Sequence, residues 1–129
     1  MFRILVMSAV ALGIPLSATT LQKLSLDDMI QKSTAIVHAQ VVSSAPAKHG
    51  SVIFTQYHLQ VSEVLKASSS PISDIFVPGG TLGGAREVYA GAPVLSPKSD
   101  YVLFVWTSRS GLSQIIGLSQ GLLTVTKDS

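Results

Sequence analysis

At 129 residues and a formal net charge of +2, the chain has room for one small domain. It contains no cysteine, which excludes disulfide staples, thiol nucleophiles, Cys-ligated zinc and thiol redox chemistry. Its lysines and arginines are scattered, so a pI near 9.1 reflects few acids and not a phosphate-neutralising stripe, and nucleic acid is excluded as a partner.

The first stretch reads as an export signal. Arg3 supplies a positive start, Ile4 to Ile14 is uncharged and largely apolar, Pro15 breaks the helix, and Ala18 offers a small residue before a cleavage point. A membrane-spanning helix needs about 20 apolar residues, and this run is shorter. The expectation is a signal peptide over 1–18 and a domain over 19–129, secreted or periplasmic, with no membrane span after cleavage.

The domain opens with a short helix over Leu26 to Lys32. Ser25 and Asp28 have the spacing of a capping box, Asp27 and Asp28 suit the positive end of the dipole, and Leu24 can staple onto Met29. Leu26, Met29 and Ile30 give it an apolar face. Ala35 to Val42 predicts the first strand, Ser43 to Ser51 its turn, and Val52 to Lys66 a long second strand. In that strand Ile53, Tyr57, Leu59, Val61 and Leu65 fall mostly on one face. A strand of this length bends or bulges, which suits a barrel.

Asp74 to Val77 predicts a third strand, stopped by Pro78. Gly79-Gly80-Thr81-Leu82-Gly83-Gly84 then reads as a flexible surface loop, followed by a short strand from Arg86 to Ala90. After an irregular stretch through Pro93 and Pro97, Tyr101 to Thr107 is apolar on both faces, as a central strand is. Leu112 to Leu118 and Leu122 to Lys127 predict a closing hairpin about Ser119-Gln120-Gly121. The fold class is mainly β, a small barrel with one short N-terminal helix, since closure removes exposed edges.

Ser33 to Val41 and Tyr57 to Lys66 together resemble the opening of netrin-like domains, the OB-fold module shared with tissue inhibitors of metalloproteinases. The chain is also similar to a group of bacterial exported proteins in Pro78-Gly79-Gly80, Gly91-Ala92-Pro93 and the Tyr-x-x-Phe run Tyr101 to Phe104. The resemblance implies a five-stranded Greek-key OB barrel, TIMP-like, with extra strands. It does not bring the inhibitor's activity, because those inhibitors present an N-terminal cysteine to a catalytic zinc and this chain has none.

Three motifs invite chemistry. Gly117-Leu118-Ser119-Gln120-Gly121 matches G-x-S-x-G, but no histidine follows Ser119, and the segment reads as a turn between strands. The glycine loop has neither the Walker pattern nor G-x-G-x-x-G, so no phosphate is assigned to it. Gly79, Gly80, Thr81, Leu82, Gly83, Gly84 and Arg86 are instead the candidate loop for a partner.

With a hairpin centred near Lys48, His38 and His58 lie opposite each other, a pair able to bind zinc or copper. Solvated sheet-face histidines are the simpler reading, since no third ligand is evident. The acids form no dyad, and Tyr57, Tyr89, Tyr101, Phe104 and Trp106 read first as packing residues.

The sequence therefore predicts an exported binding or interaction module with no catalytic activity and no cofactor. Its expected partner is another exported or envelope protein. The alternatives are a metal-binding protein using His38 and His58 and an accessory structural domain of a larger exported system.

Overall fold

The computed structural model describes residues 23–126. The expected signal peptide over 1–18 lies outside the described residues. The helix α1, Leu26–Lys32, has the predicted bounds and start. Asp28 donates its backbone N–H to Ser25 Oγ at 3.1 Å, and Asp28 Oδ2 accepts the Ser25 N–H at 3.3 Å. These bonds to Ser25, with the nearby Lys32 charge, hold the Asp28 carboxyl below its ordinary range.

Only part of the expected apolar face is used. Met29 is buried and joins Leu24, Ile36, Phe104 and Ile116 in a small outer cluster, while Leu26 and Ile30 remain exposed. A helix of 7 residues rests on the sheet through too short a contact to cover all three. Its C-terminal end is held by a cation: Lys66 Nζ donates to the Ile30 carbonyl at 2.7 Å and the Ser33 carbonyl at 2.6 Å. A positive charge there also opposes the negative end of the helix dipole. Lys66→Met is expected to lower stability by about 1 kcal/mol, read as a fall in the thermal midpoint with the strand signal retained below it.

The strands are β1 (Ala35–His49), β2 (Val52–Lys66), β3 (Asp74–Pro78), β4 (Gly80–Leu82), β5 (Ala85–Glu87), β6 (Asp100–Thr107), β7 (Ser113–Ile115) and β8 (Leu122–Val125). The main sheet runs β3-β2-β1-β6-β7, with β8 also on β6, and β4 and β5 pair with each other apart from it. Three consecutive antiparallel strands followed by one that returns beside the first make the Greek-key order.

The expected closed barrel is not formed. The sheet curls until β3 and β7 approach, yet these edges share no ladder. β7 has 3 residues and β3 has 5, so few backbone groups are available, and Pro78 and Pro93 line the seam. Side chains bridge the sheet's interior instead: Ile75 and Val77 from β3 join Val37, Leu103, Val105 and Ile115 in the main core.

The first hairpin is longer than expected. The polar segment from Ser43 continues β1 to His49, and the turn is Gly50-Ser51 alone, with Gly50 at φ 63. Glycine at the first central position of a two-residue turn supplies the twist that the flanking strands need. Pro46 is tolerated because β6 pairs with β1 only over Ala35 to Gln40, leaving the far half of β1 as an edge.

Register shifts fall between Ile36 and Val37, His38 and Ala39, and Val41 and Ser43. They expose Val42 and reverse the alternation near the end of β2, so Leu65 is exposed and not on the inner face with Tyr57 and Leu59.

The predicted closing hairpin is corrected as well. β7 and β8 do not pair with each other; both pair with β6, along Val105 to Thr107 and Asp100 to Leu103 respectively. Between them the chain leaves the sheet and returns. Ile116 donates to the Phe104 carbonyl, Phe104 to the Gly121 carbonyl, and Gly121 to the Ile116 carbonyl, each at 2.9 Å. The central position predicted for β6 is observed, with Tyr101, Leu103, Phe104 and Val105 buried.

Candidate interaction site

The glycine-dense segment is a built hairpin, which corrects its reading as a flexible loop. Thr81 pairs with Arg86 and Leu82 with Ala85 around Gly83-Gly84, whose φ values of 59 and 83 meet the demand of a primed turn for two left-handed residues. The strand expected to run to Ala90 ends at Glu87. Gly80 lies so close to β2 that a Cβ there would stand 2.9 Å from Thr55 Oγ1.

Polar bonds pin the hairpin to β2 at both of its roots. The Thr55 hydroxyl donates to the Gly79 carbonyl at 2.8 Å, and Glu87 Oε1 accepts the Ile53 N–H at 3.0 Å. The Tyr89 hydroxyl donates to the same Glu87 oxygen at 3.2 Å. Desolvation first, then the hydrogen bond and negative charge of Glu87, push the Tyr89 phenol above its ordinary value of 10.0.

The protonated phenol is thus the form the fold favours. Its contribution is complete below pH 10.0 and is lost as pH rises through the higher folded-state value. An alkaline titration followed by tyrosinate absorbance is expected to show Tyr89 ionising after a Glu87→Gln variant does. A Tyr89 midpoint unchanged by that substitution would contradict the contact.

After Tyr89 the connection to β6 is held by two core tyrosines. Leu95 donates its N–H to the Tyr57 hydroxyl at 3.3 Å, and Ser96 to the Tyr101 hydroxyl at 2.8 Å. Leu95 is thereby fixed inward at 3% exposure, and its neighbour Val94 is turned outward at 85%. Val88 is 75% exposed on the other side of Tyr89. A groove of about 330 Å³ lies between the hairpin and this connection, lined by Thr55, Tyr57, Gly80, Arg86, Tyr89 and Pro93 among others. A pinned polar framework here carries two exposed valines, with Arg86 exposed beside them.

The structure thus brings Gly79, Gly80, Thr81, Leu82, Gly83, Gly84 and Arg86 into one element. Sequence reasoning missed Val88 and Val94, and it placed Tyr89 among aromatics that pack first and serve a ligand second. The available signal was Val94 between Pro93 and Pro97 in a stretch that no strand accounts for, whereas Val88 was masked by the strand expected from Arg86 to Ala90.

The two histidines are not brought together. The turn sits nearer Ser51 than Lys48, so His38 faces Glu63 across the ladder and His58 faces Ser43. Each lies instead beside its own aspartate: His58 Nδ1 is 2.8 Å from Asp74 Oδ1, and His38 Nε2 is 3.7 Å from Asp100 Oδ1. Among the described residues, no three His, Asp or Glu side chains gather as metal ligands do. His49 is engaged elsewhere, with its ring edge-on to Phe54 and Phe76 at 5.6 and 5.1 Å.

The Gly117 to Gly121 motif joins two strand segments on β6, so Ser119 does not sit on the strand-to-helix turn of a nucleophile elbow. Of the aromatic residues read as packing, Tyr57, Tyr101 and Phe104 are buried, whereas Tyr89 and Trp106 are partly exposed. Comparison with protein-family models gives no match, and comparison with curated proteins gives no significant one.

Proposed function

We propose that the chain is an exported binding module, without catalysis of its own, that docks another exported or envelope protein on the β4–β5 hairpin and the segment from Val88 to Val94. The observation that carries this reading is the pairing of a rigid base with an exposed apolar rim. The hairpin roots are hydrogen-bonded to Ile53 and Thr55, while Val88 and Val94 are 75% and 85% exposed. Holding apolar side chains in place before contact reduces the ordering cost of association. Exposed valines on a flexible loop would carry that cost in full.

The fold reading that accompanies it is an OB-like domain of the TIMP-like kind. The Greek-key order supports it, and an OB-fold is itself a partly open five-stranded barrel. The β4–β5 hairpin is then an addition to that framework, in the connection that crosses from β3 to β6.

The test is comparative capture. Tagged residues 19–129 and the Val88→Glu, Val94→Glu double variant are each exposed to envelope extract and culture fluid from the source cells. A protein retained by the parent chain and depleted roughly tenfold or more on the variant supports the proposal, since buried charge at an apolar contact costs at least ~1.4 kcal/mol. Equal retention by both would move the site elsewhere. Circular dichroism of the variant guards against unfolding, which two substitutions at such exposure are not expected to cause.

A further inference from the structure

We propose that the cleft at the open seam, on the Asp74 side of β3, is a binding site for a neutral saccharide. The cleft encloses about 520 Å³ between the loop from Ser68 to Ser73, the start of β3, and the connection that joins β6 to β7. It is a different surface from the β4–β5 hairpin, and this inference does not rest on that reading.

Eight of its 13 lining residues carry a hydroxyl, among them Thr34, Ser69, Ser73, Thr107 and Ser113. The remainder includes one carboxylate, Asp74, one aromatic residue, Phe76, and no lysine, arginine or histidine. This composition selects a ligand class. Without a cation the cleft offers an anion no charge partner, and Asp74 repels one. A purely apolar ligand would strip water from hydroxyls that it cannot bond. A ring that carries hydroxyls on its edges and C–H groups on its faces satisfies both kinds of wall.

Several of these groups are already oriented. Thr34 Oγ1 donates to the Val105 carbonyl and accepts the Thr107 N–H, and Thr107 Oγ1 lies 2.8 Å from Ser113 Oγ. These bonds fix one wall. Across the cleft, Asp74 Oδ1 is held by His58 at 2.8 Å, which orients the carboxylate and leaves its second oxygen for a ligand hydroxyl. Phe76 is wedged edge-on against His49 and Phe54, with ring centres 5.1 and 6.3 Å away. Among the described residues the side-chain hydroxyls of Ser69 and Ser73 have no hydrogen-bond partner, so they too are available. The cleft exists because β3 and β7 do not pair: a closed ladder there would bring the two walls together.

The experiment is saturation-transfer NMR followed by calorimetry on residues 19–129. The probes are a panel of neutral hexoses, N-acetylhexosamines and their disaccharides, with glucuronate and glucosamine as charged controls. At least one neutral sugar is expected to bind, glucuronate to bind at least tenfold more weakly, and Asp74→Asn to weaken the neutral sugar by about tenfold or more.

Ser73→Ala, a surface change with little reach into the fold, is expected to weaken binding severalfold. It keeps the proposal testable if Asp74→Asn loosens β3. Absence of binding across the neutral panel at 20 mM-scale concentrations, about the weakest affinity of interest, overturns the proposal. Binding that survives both substitutions, or that is seen only for a charged control or an extended peptide, overturns it equally.

Discussion

Leu103→Ala is expected to cost about 2–5 kcal/mol, a large fraction of the roughly 5–15 kcal/mol that holds a domain of this size together. Leu103 has 0% exposure on the central strand β6, and Ile75 has 0% exposure on β3, an edge of the same curled sheet. Both side chains belong to the core that the unclosed sheet wraps. A closed barrel can lean on a continuous ladder when a core residue shrinks. Here the β3–β7 seam has no backbone bonds, so side chains alone span it. Urea unfolding should show a lower midpoint with an unchanged slope for Leu103→Ala, and a similar loss for Ile75→Ala. A cost below about 1 kcal/mol at both sites would mean that this interior is not the load path, since that is about the worth of one buried methylene group and each substitution removes three carbons.

Gly121→Ala is the second large effect, and its cause is space and not backbone freedom. A Cβ at Gly121 would stand 2.9 Å from the Ile116 carbonyl oxygen, 3.1 Å from that of Phe104 and 3.2 Å from Ile115 Cγ2. Two of those atoms are backbone: the Ile116 carbonyl accepts the bond that closes the β7–β8 connection, and the Phe104 carbonyl accepts one that ties this connection to β6. Something must shift there, at a cost of about 1–3 kcal/mol.

Gly83→Ala makes the contrast. A Cβ at Gly83 meets nothing within 4 Å, so only its φ of 59 is penalised, by about 1 kcal/mol. Amide exchange should distinguish the two: Gly121→Ala loses protection at Phe104, Ile116 and Gly121, whereas Gly83→Ala loses it only within β4 and β5. Matching exchange patterns would contradict this account of the joint.

Local chemistry was legible in the sequence where one residue type decides the outcome. Ser25 and Asp28 announced the helix start, Pro78 the end of β3, and the run from Tyr101 to Thr107 a strand between two neighbours. What failed was counting across turns. The Ser-Ala-Pro-rich stretch after Val42 has loop composition, yet it pairs residue by residue with β2, because Gly50-Ser51 supplies a turn tight enough to continue the ladder. That moved the centre of the hairpin, and with it the partner of each histidine. The bulges compounded the error by turning Leu65 outward.

The glycines at 79 to 84 have the composition of a flexible loop, but their left-handed φ values serve a primed turn and a close approach to Thr55. The outward valines were hidden for a different reason. Nothing in the order Val88, Tyr89, Val94, Leu95 shows that Leu95 points inward, because its direction is set by the distant Tyr57 and Tyr101 hydroxyls that hold this connection.

The most direct measurement of the binding role is site-specific photo-crosslinking in the source cells, with the photoreactive side chain placed at Val88, at Val94 or at Leu123. Leu123 is exposed on β8, away from the hairpin, and serves as the control. The account predicts one shared crosslinked protein from the Val88 and Val94 positions and none from Leu123. Crosslinks from Leu123 alone, or none from either valine, would contradict it.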